Sequence, residues 1–221
     1  MALDDYEKPS ITVDIIVFSV RDGNLSVLLV KRGIEPFKGK WAIPGGFIKI
    51  DENLEDAAKR ELKEETGVDS DYLEQLYTFG DVKRDSRGRV ITITYFALIN
   101  SEKIKLHATT DTTDADWFNA FKLPELGFDH KEIIEYALKR LRWKFEYTTA
   151  AFSLLPSKFT LFELQSLYEI VFDKKFDKRN FRKKIFSLDI LKEEEVKRDV
   201  AHRPPQLYSL KPDIKEIIEI L

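Results

Sequence analysis

Two runs near the N-terminus are almost wholly apolar: Ile11 to Val20 (ITVDIIVFSV) and Leu25 to Arg32 (LSVLLVKR). Their β-branched and aliphatic residues predict strands, and Asp22-Gly23-Asn24 between them supplies turn chemistry, so the pair reads as a β-hairpin. Trp41 to Ile48 is interrupted by Pro44-Gly45-Gly46, a strand broken by a tight loop. From Asn53 to Thr66 helix formers dominate, with Leu54, Ala57, Ala58 and Leu62 at helical spacing, and Gly67 ends the run. Strands follow around Leu73–Phe79 and Val90–Asn100, and Asp114 to Leu126 reads as a short strand and loop. Asp129 is placed to cap a second helix, with Glu132 in capping-box position. That helix runs to about Phe145 and buries Ile133, Ile134, Ala137, Leu138 and Leu141.

Periodicity lapses between Glu146 and Lys158, a stretch that contains Pro156 and marks a domain junction. Beyond it the pattern predicts a helix from Leu161 to Phe172 capped by Thr160, and another from Lys178 to Leu188 capped by Asp177. The charged stretch EEEVKRD, flanked by IL and QLYSL, reads as a hairpin, and DIKEIIEIL as a closing helix. Two helices and a hairpin outline a winged helix-turn-helix. The fold class expected is mixed α/β (α+β): a helix-flanked sheet over residues 1–148 and a winged helix-turn-helix over 158–221.

Composition narrows the picture without deciding it. The 221 residues are 43% apolar and 34% charged, with a net charge of −3, ordinary for a soluble globular chain with a real core. There is no cysteine, which excludes disulfides, thiolate chemistry and Cys-based zinc sites and fits a reducing cytoplasm. The polar start MALDDYEKPS does not resemble a signal peptide, and no apolar run approaches the ~20 residues of a membrane span. A cytoplasmic protein without membrane contact is expected.

The chemistry concentrates in one segment. Gly46 is followed by Glu52, and seven residues later by Arg60-Glu61-Leu62-Lys63-Glu64-Glu65-Thr66-Gly67-Val68. On a helix Glu61, Glu64 and Glu65, at i, i+3 and i+4, share one face. Three carboxylates that close raise one another's pKa; a hard divalent cation (Mg²⁺, or Mn²⁺) removes the conflict and bridges to phosphate oxygens. Gly45 and Gly46 let backbone carbonyls approach such a cation. Most glutamate clusters are simply solvated helix faces, but this one sits in register with Gly46, Glu52, Arg60 and Gly67. Chance would supply that register roughly once in 10⁹ starting points. The segment resembles the Nudix signature at every fixed position. That resemblance implies a Nudix α/β/α sandwich, metal ligation by Glu61, Glu64 and Glu65, a carbonyl from the Gly45–Gly46 loop, and support from Glu52 and Arg60.

Thr78 to Leu98 (TFGDVKRDSRGRVITITYFAL) is similar to ADP-ribose pyrophosphatases and to Nudix-related regulators of the NrtR type, as is Leu123 to Ile134. Arg84, Arg87 and Arg89 are candidates to pair with a diphosphate, against the plainer reading of an exposed, charged hairpin loop. His130 reads as a helix-start residue rather than a base. Among Asp111, Asp114 and Asp116 the sequence does not choose a water-orienting acid. Further along, FDKRNFRKKIF sets Lys178, Arg179, Asn180, Arg182, Lys183 and Lys184 apart from a stripe of Phe181, Ile185 and Leu188, as a recognition helix in a DNA major groove requires. Lys174 and Lys175 precede it, and His202 and Arg203 lie at the expected wing. A basic helix alone is usually a solvated face. In this order, however, FTLFELQSLYEIVF, DKRNFRKKI and HRPPQLY resemble the C-terminal winged helix of NrtR-type regulators, so the resemblance spans nearly the whole chain. It implies a homodimer that binds double-stranded operator DNA and senses ADP-ribose, another nucleotide sugar or a sugar. Nudix boxes in such regulators are often degraded; this one is intact, which leaves Mg²⁺-dependent hydrolysis of ADP-ribose to AMP and ribose 5-phosphate as the alternative.

Overall fold

Strand β1 (Ser10–Arg21) shows why the architecture is layered: it is buried on both faces. Val13, Ile15 and Val17 belong to one apolar cluster, and Ile16 and Phe18 to another. A strand covered on both sides reads as a continuous hydrophobic run rather than an alternation. The structure, a computed structural model, describes residues 6–70, 72–99, 112–194, 205–212, 214 and 220.

β1 turns into β2 (Asn24–Arg32) through Asp22 and Gly23, whose φ values of 48° and 71° are those of a two-residue hairpin turn that matches strand twist. β3 (Trp41–Ala42) pairs with β2, and β4 (Gly45–Phe47) pairs with the first half of β1, so the strand predicted across Trp41–Ile48 is two pieces divided at Ile43-Pro44. Helix α1 (Leu54–Thr66) and β5 (Leu73–Phe79) then lead to β6 (Val90–Leu98), which lies parallel to β1. β7 (Thr112–Asn119) pairs with β2, giving a mixed sheet of seven strands. Helix α1 covers one face through Ala57, Ala58 and Leu62. Helix α2 (His130–Tyr147) covers the other through Ile133, Ile134, Ala137, Leu141 and Phe145. This is the expected α/β/α sandwich.

Asp129 is a correction. Its side chain makes no capping bond to α2, because both carboxylate oxygens accept from the Arg84 guanidinium at 2.9 Å. The charge-assisted bidentate pair outcompetes a single bond to a backbone N–H.

The predicted junction is not an open linker. A 3-10 turn, Thr149–Leu154, buries Ala150, Ala151 and Leu154 in the same apolar cluster that holds α2, α3 (Leu161–Phe172) and α4 (Lys178–Ser187). Thr160 and Glu163 form the full capping box on α3, and Asp177 caps α4 through Asn180 N–H. β8 (Leu191–Glu194) and β9 (Leu207–Leu210) make the hairpin, and Phe159 pairs with Tyr208 in a single isolated bridge. The closing helix expected from DIKEIIEIL lies largely outside the described residues. No helix among those described is long and apolar enough to cross a membrane.

The two halves satisfy each other's helix ends. Tyr168 Oη of α3 donates to the Phe145 carbonyl in the last turn of α2, and Arg142 Nε of α2 donates to the Val171 carbonyl in the last turn of α3. These carbonyls have no partner within their own helices.

At the other end of α2, buried His130 accepts the Ile43 N–H at Nδ1, 2.9 Å away. Burial pushes its pKa down to about 3; nearby Arg84 and Arg32 push the same way and Asp129 opposes them. The folded state therefore holds a neutral imidazole, whereas the unfolded chain takes up a proton below pH ~6.5. This contribution to stability is complete above pH ~6.5 and is lost as pH falls toward 3. His130→Asn keeps an acceptor for Ile43 N–H but cannot titrate. In urea unfolding at pH 7 and pH 5, the wild type is expected to lose about 2 kcal/mol more than this variant. Equal losses would refute the neutral buried imidazole.

Candidate functional site: a carboxylate-lined cavity and a basic helix

The signature residues meet where α1 packs on β1 and β4. Gly67 ends α1 in a left-handed conformation (φ 72°), its N–H bonded to Lys63 O. Arg60 organises the near side of the cluster: its Nε donates to Glu52 at 2.9 Å, its Nη1 to Glu61 at 2.6 Å and Glu64 at 3.2 Å, and its Nη2 to the Phe47 carbonyl at 3.3 Å. With Arg60 and the Lys49 N–H bound to it, the Glu52 carboxyl is held down at about 2. Glu65 turns the other way and accepts the Gly45 N–H at 2.8 Å. A Cβ on Gly45 would collide with the Val13 carbonyl, and one on Gly46 would displace the Glu61 carboxylate.

The electrostatics record crowding. Burial pushes Glu65 up to about 8, with Glu61 and Asp14 adding to the rise and the Gly45 N–H opposing it. Glu61 is also raised, by burial first, against the pull of Arg60. Asp14, buried in β1, stands at about 6 despite Arg84 beside it. Arg60 neutralises Glu61 and Glu64 but makes no bond to Glu65. Among the described residues no three acidic side chains converge as a finished coordination set. Yet a cluster of carboxylates short of positive charge, beside a loop with no room for a Cβ at Gly45, is donor chemistry that suits a hard divalent cation.

Beside this cluster a cavity of about 130 Å³ opens between the sheet and the start of α2, bordered by Thr12, Asp14, Gly45, Gly46, Glu65 and Arg84, among others. Thr12 keeps a buried hydroxyl with no hydrogen-bond partner among the described residues, a group that asks for a ligand or a water. The three nominated arginines differ. Arg84 borders the cavity but is buried and bound to Asp129, with Asp14 at 3.6 Å. Arg89 donates to the Gly80 carbonyl at 2.6 Å and does not border the cavity. Arg87 is held by Asp85 through Nε and Nη2, at 3.0 and 2.7 Å, and sits 5.4 Å from the Phe47 ring and 5.7 Å from the Phe128 ring. Its third nitrogen, Nη1, makes no hydrogen bond to the described protein. Asp114 and Asp116 are exposed on β7 and away from the cavity; Asp111 lies outside the described residues.

Sequence reasoning missed Asp14, Thr12, Phe47, Asp85 and Phe128. Asp14 had left a signal, a lone acid inside an otherwise apolar strand. Phe128, with φ at 53°, had left none, since its role comes from the loop that presents it between Arg87 and Arg32.

In the second half, α4 buries Phe181 and Ile185 and leaves Lys178, Arg179, Asn180 and Lys183 exposed. Arg182 and Lys184 are half-buried, and Arg182 Nε has no hydrogen-bond partner among the described residues. Glu169 of α3 holds the turn between the helices: its Oε1 accepts from Gln165 and from the Phe176 N–H, and its Oε2 from Lys175. His202 and Arg203 lie outside the described residues.

Comparisons with known proteins agree with both halves. Residues 9–137 match the family described as the NUDIX domain, and residues 151–210 the NrtR DNA-binding winged helix domain. The "ADPR responsive transcriptional repressor NtrR" of Acinetobacter baylyi is 41% identical over 209 residues, covering 92% of this chain and 83% of the relative. An ADP-ribose pyrophosphatase of Methanocaldococcus jannaschii is 37% identical over 139 residues, 63% of this chain and 77% of that protein. The crystal structure of Shewanella oneidensis NrtR complexed with a 27mer DNA has a TM-score of 0.79 and 37% identity, covering 95% of this chain and 99% of that one. The NUDIX domain of the same protein, complexed with ADP ribose, has a TM-score of 0.58 and 38% identity over 64% of this chain and 94% of the other. With a Nudix domain followed by an NrtR-type winged helix along almost its whole length, the chain belongs to the NrtR family of Nudix-related regulators.

Proposed function

We propose that the chain is a DNA-binding transcription regulator that acts as a homodimer in the cytoplasm and whose Nudix domain senses ADP-ribose or a close nucleotide-sugar relative. The observation that carries this reading is the union in one chain of a polar cavity beside the signature helix and an exposed basic α4 with its core stripe turned inward. Relatives of the same domain order are described as ADPR responsive and have been crystallised with DNA and with ADP ribose. In the cavity, Arg87 is the arginine with a nitrogen to offer a diphosphate, and the Phe47 and Phe128 rings beside it offer faces to a planar base. Arg84 serves there by fixing Asp129 and Asp14; contact with phosphate would require it to give up those bonds. Glu61, Glu64 and Glu65, with the Gly45–Gly46 loop, would hold Mg²⁺ or Mn²⁺, which supplies positive charge to diphosphate oxygens when bound.

For a ligand to change DNA affinity it must bind two arrangements of the protein unequally. Helix α2 is the element suited to link them. It starts at His130 on the cavity and ends, about 27 Å away, against α3. A second reading, an ADP-ribose pyrophosphohydrolase, rests on the unbroken signature and on the crowding of Glu61 and Glu65.

Three measurements separate these readings. In a gel shift with its own upstream DNA, the wild type is expected to bind with a steep salt dependence. Arg182→Ala/Lys183→Ala should weaken that binding at least about tenfold; unchanged binding would show that α4 is not the recognition helix. Arg142→Ala/Tyr168→Phe is expected to bind ADP-ribose and DNA separately about as well as wild type while ADP-ribose no longer alters DNA affinity. Retained coupling would rule out the route through α2. Incubation with ADP-ribose and Mg²⁺ or Mn²⁺ tests the enzyme: AMP that appears with wild type and drops by about 100-fold or more in Glu65→Gln supports hydrolysis, and no turnover across a panel of nucleoside diphosphate sugars rejects it.

A further inference from the structure

Between the two halves runs a groove of about 660 Å³ that neither the ligand cavity nor the face of α4 accounts for. One wall is the end of the Nudix sheet: Asn24 of the β1–β2 turn, Asn119 at the end of β7, and Lys122 just beyond. The other wall is α3 and the turn into α4, with Ser166, Lys174 and Lys175. Lys122 is exposed and has no ion-pair partner among the described residues. The Lys174 ammonium rests over the Phe172 and Phe176 rings, at 5.3 and 4.8 Å, contacts that hold it in place and leave its charge unneutralised. The acids in the groove are differently placed. Glu169 is occupied by the turn it braces, and Asp173 is the left-handed residue that ends α3. The Asn24 and Asn119 amides already donate to Asp22 O and Asn24 Oδ1. What the groove offers a ligand is therefore the Ser166 hydroxyl and the Lys122 and Lys174 ammonium groups, with the exposed Asp173 carboxylate also on its wall. Hydroxyl and ammonium donors are groups that proteins present to phosphate.

The position selects the partner. Lys174 and Lys175 stand only a few residues before Lys178 and Arg179, at the end of α4 that opens the exposed basic face. In helix-turn-helix complexes the recognition helix enters the major groove while the helix before it crosses the sugar–phosphate backbone. A strand leaving the groove read by α4 would pass the α3–α4 turn and meet Lys122. We infer that the DNA footprint extends beyond the winged helix, and that Lys122 of the Nudix domain and Lys174 each contact a backbone phosphate flanking the site read by α4. The inference rests on the DNA-binding reading of α4. It gives the Nudix domain a direct contact with DNA, so a shift of one half against the other alters binding even when α4 keeps its seat.

Phosphate contacts are independent of sequence, so a duplex of about 30 base pairs of mixed sequence serves as the probe, and fluorescence anisotropy across a salt series as the readout. Lys122→Gln is compared with Lys131→Gln, which removes one charge from the exposed start of α2. The expected result is that Lys122→Gln weakens binding about fivefold at ~0.1 M salt and lowers the slope of log K against log salt by about 0.9 for each bound protomer, with Lys131→Gln near wild type. Lys122→Gln/Lys174→Gln is expected to lower the slope by about 1.8 for each bound protomer. If Lys122→Gln matches Lys131→Gln while Arg182→Ala/Lys183→Ala loses binding, the extended footprint is wrong and the reading of α4 stands. If the wild type does not bind the duplex, or the Arg182/Lys183 variant binds like wild type, both fall together.

Discussion

Much of this structure depends on helix α2 having neither end free. Its first residues are tied into the cavity, with Asp129 on Arg84 and His130 accepting from Ile43. Its last turn is tied into the second domain, where Tyr168 takes the Phe145 carbonyl and Arg142 returns the favour to Val171. Buried carbonyls at helix ends are costly when unpaired, so the contact between the halves is specified by polar geometry as well as by apolar packing. One apolar cluster runs from the sheet through α2 into α3 and α4 without a break.

The cavity owes its chemistry to a similar economy of charge. Arg60 is spent on Glu52, Glu61 and Glu64, and Arg84 on Asp129 and Asp14, while Glu65, bonded to neither, is pushed far above the usual carboxylate range by burial, against the weaker pull of Arg32. The positive charges are thus distributed so that the deficit falls at the edge of the cavity. A diphosphate accompanied by a divalent cation brings both the missing positive charge and an anion for the Nη1 edge of Arg87. The same disposition serves a sensor that holds its ligand and an enzyme that cleaves it, which is why the two readings share a site and differ in what happens to the ligand.

Regular secondary structure was legible wherever the local pattern and the tertiary demand agreed. The helices of the second domain begin at Thr160 and Asp177 because those side chains satisfy their own nearby N–H groups, and no distant residue interferes. Asp129 looked equivalent and was not, because Arg84, 45 residues earlier in the chain, offered its carboxylate a stronger partner. The break at Ile43-Pro44 and the buried 3-10 turn after α2 also follow from long-range packing.

By itself the sequence determined the register of the signature helix and the domain order. The register of Gly46, Glu52, Arg60 and the three glutamates is set by helical spacing, and the basic face of α4 by the separation of Phe181 and Ile185 from the charges around them. Only the tertiary structure decided which charges were available: that Arg84 is committed to Asp129 and Asp14, that Arg87 keeps one nitrogen open between two aromatic rings, and that Asp14 and Thr12 enter the site from β1. The physical reason is that helical and strand spacings are local, whereas a charge's partner is whatever the fold brings within about 3 Å of it.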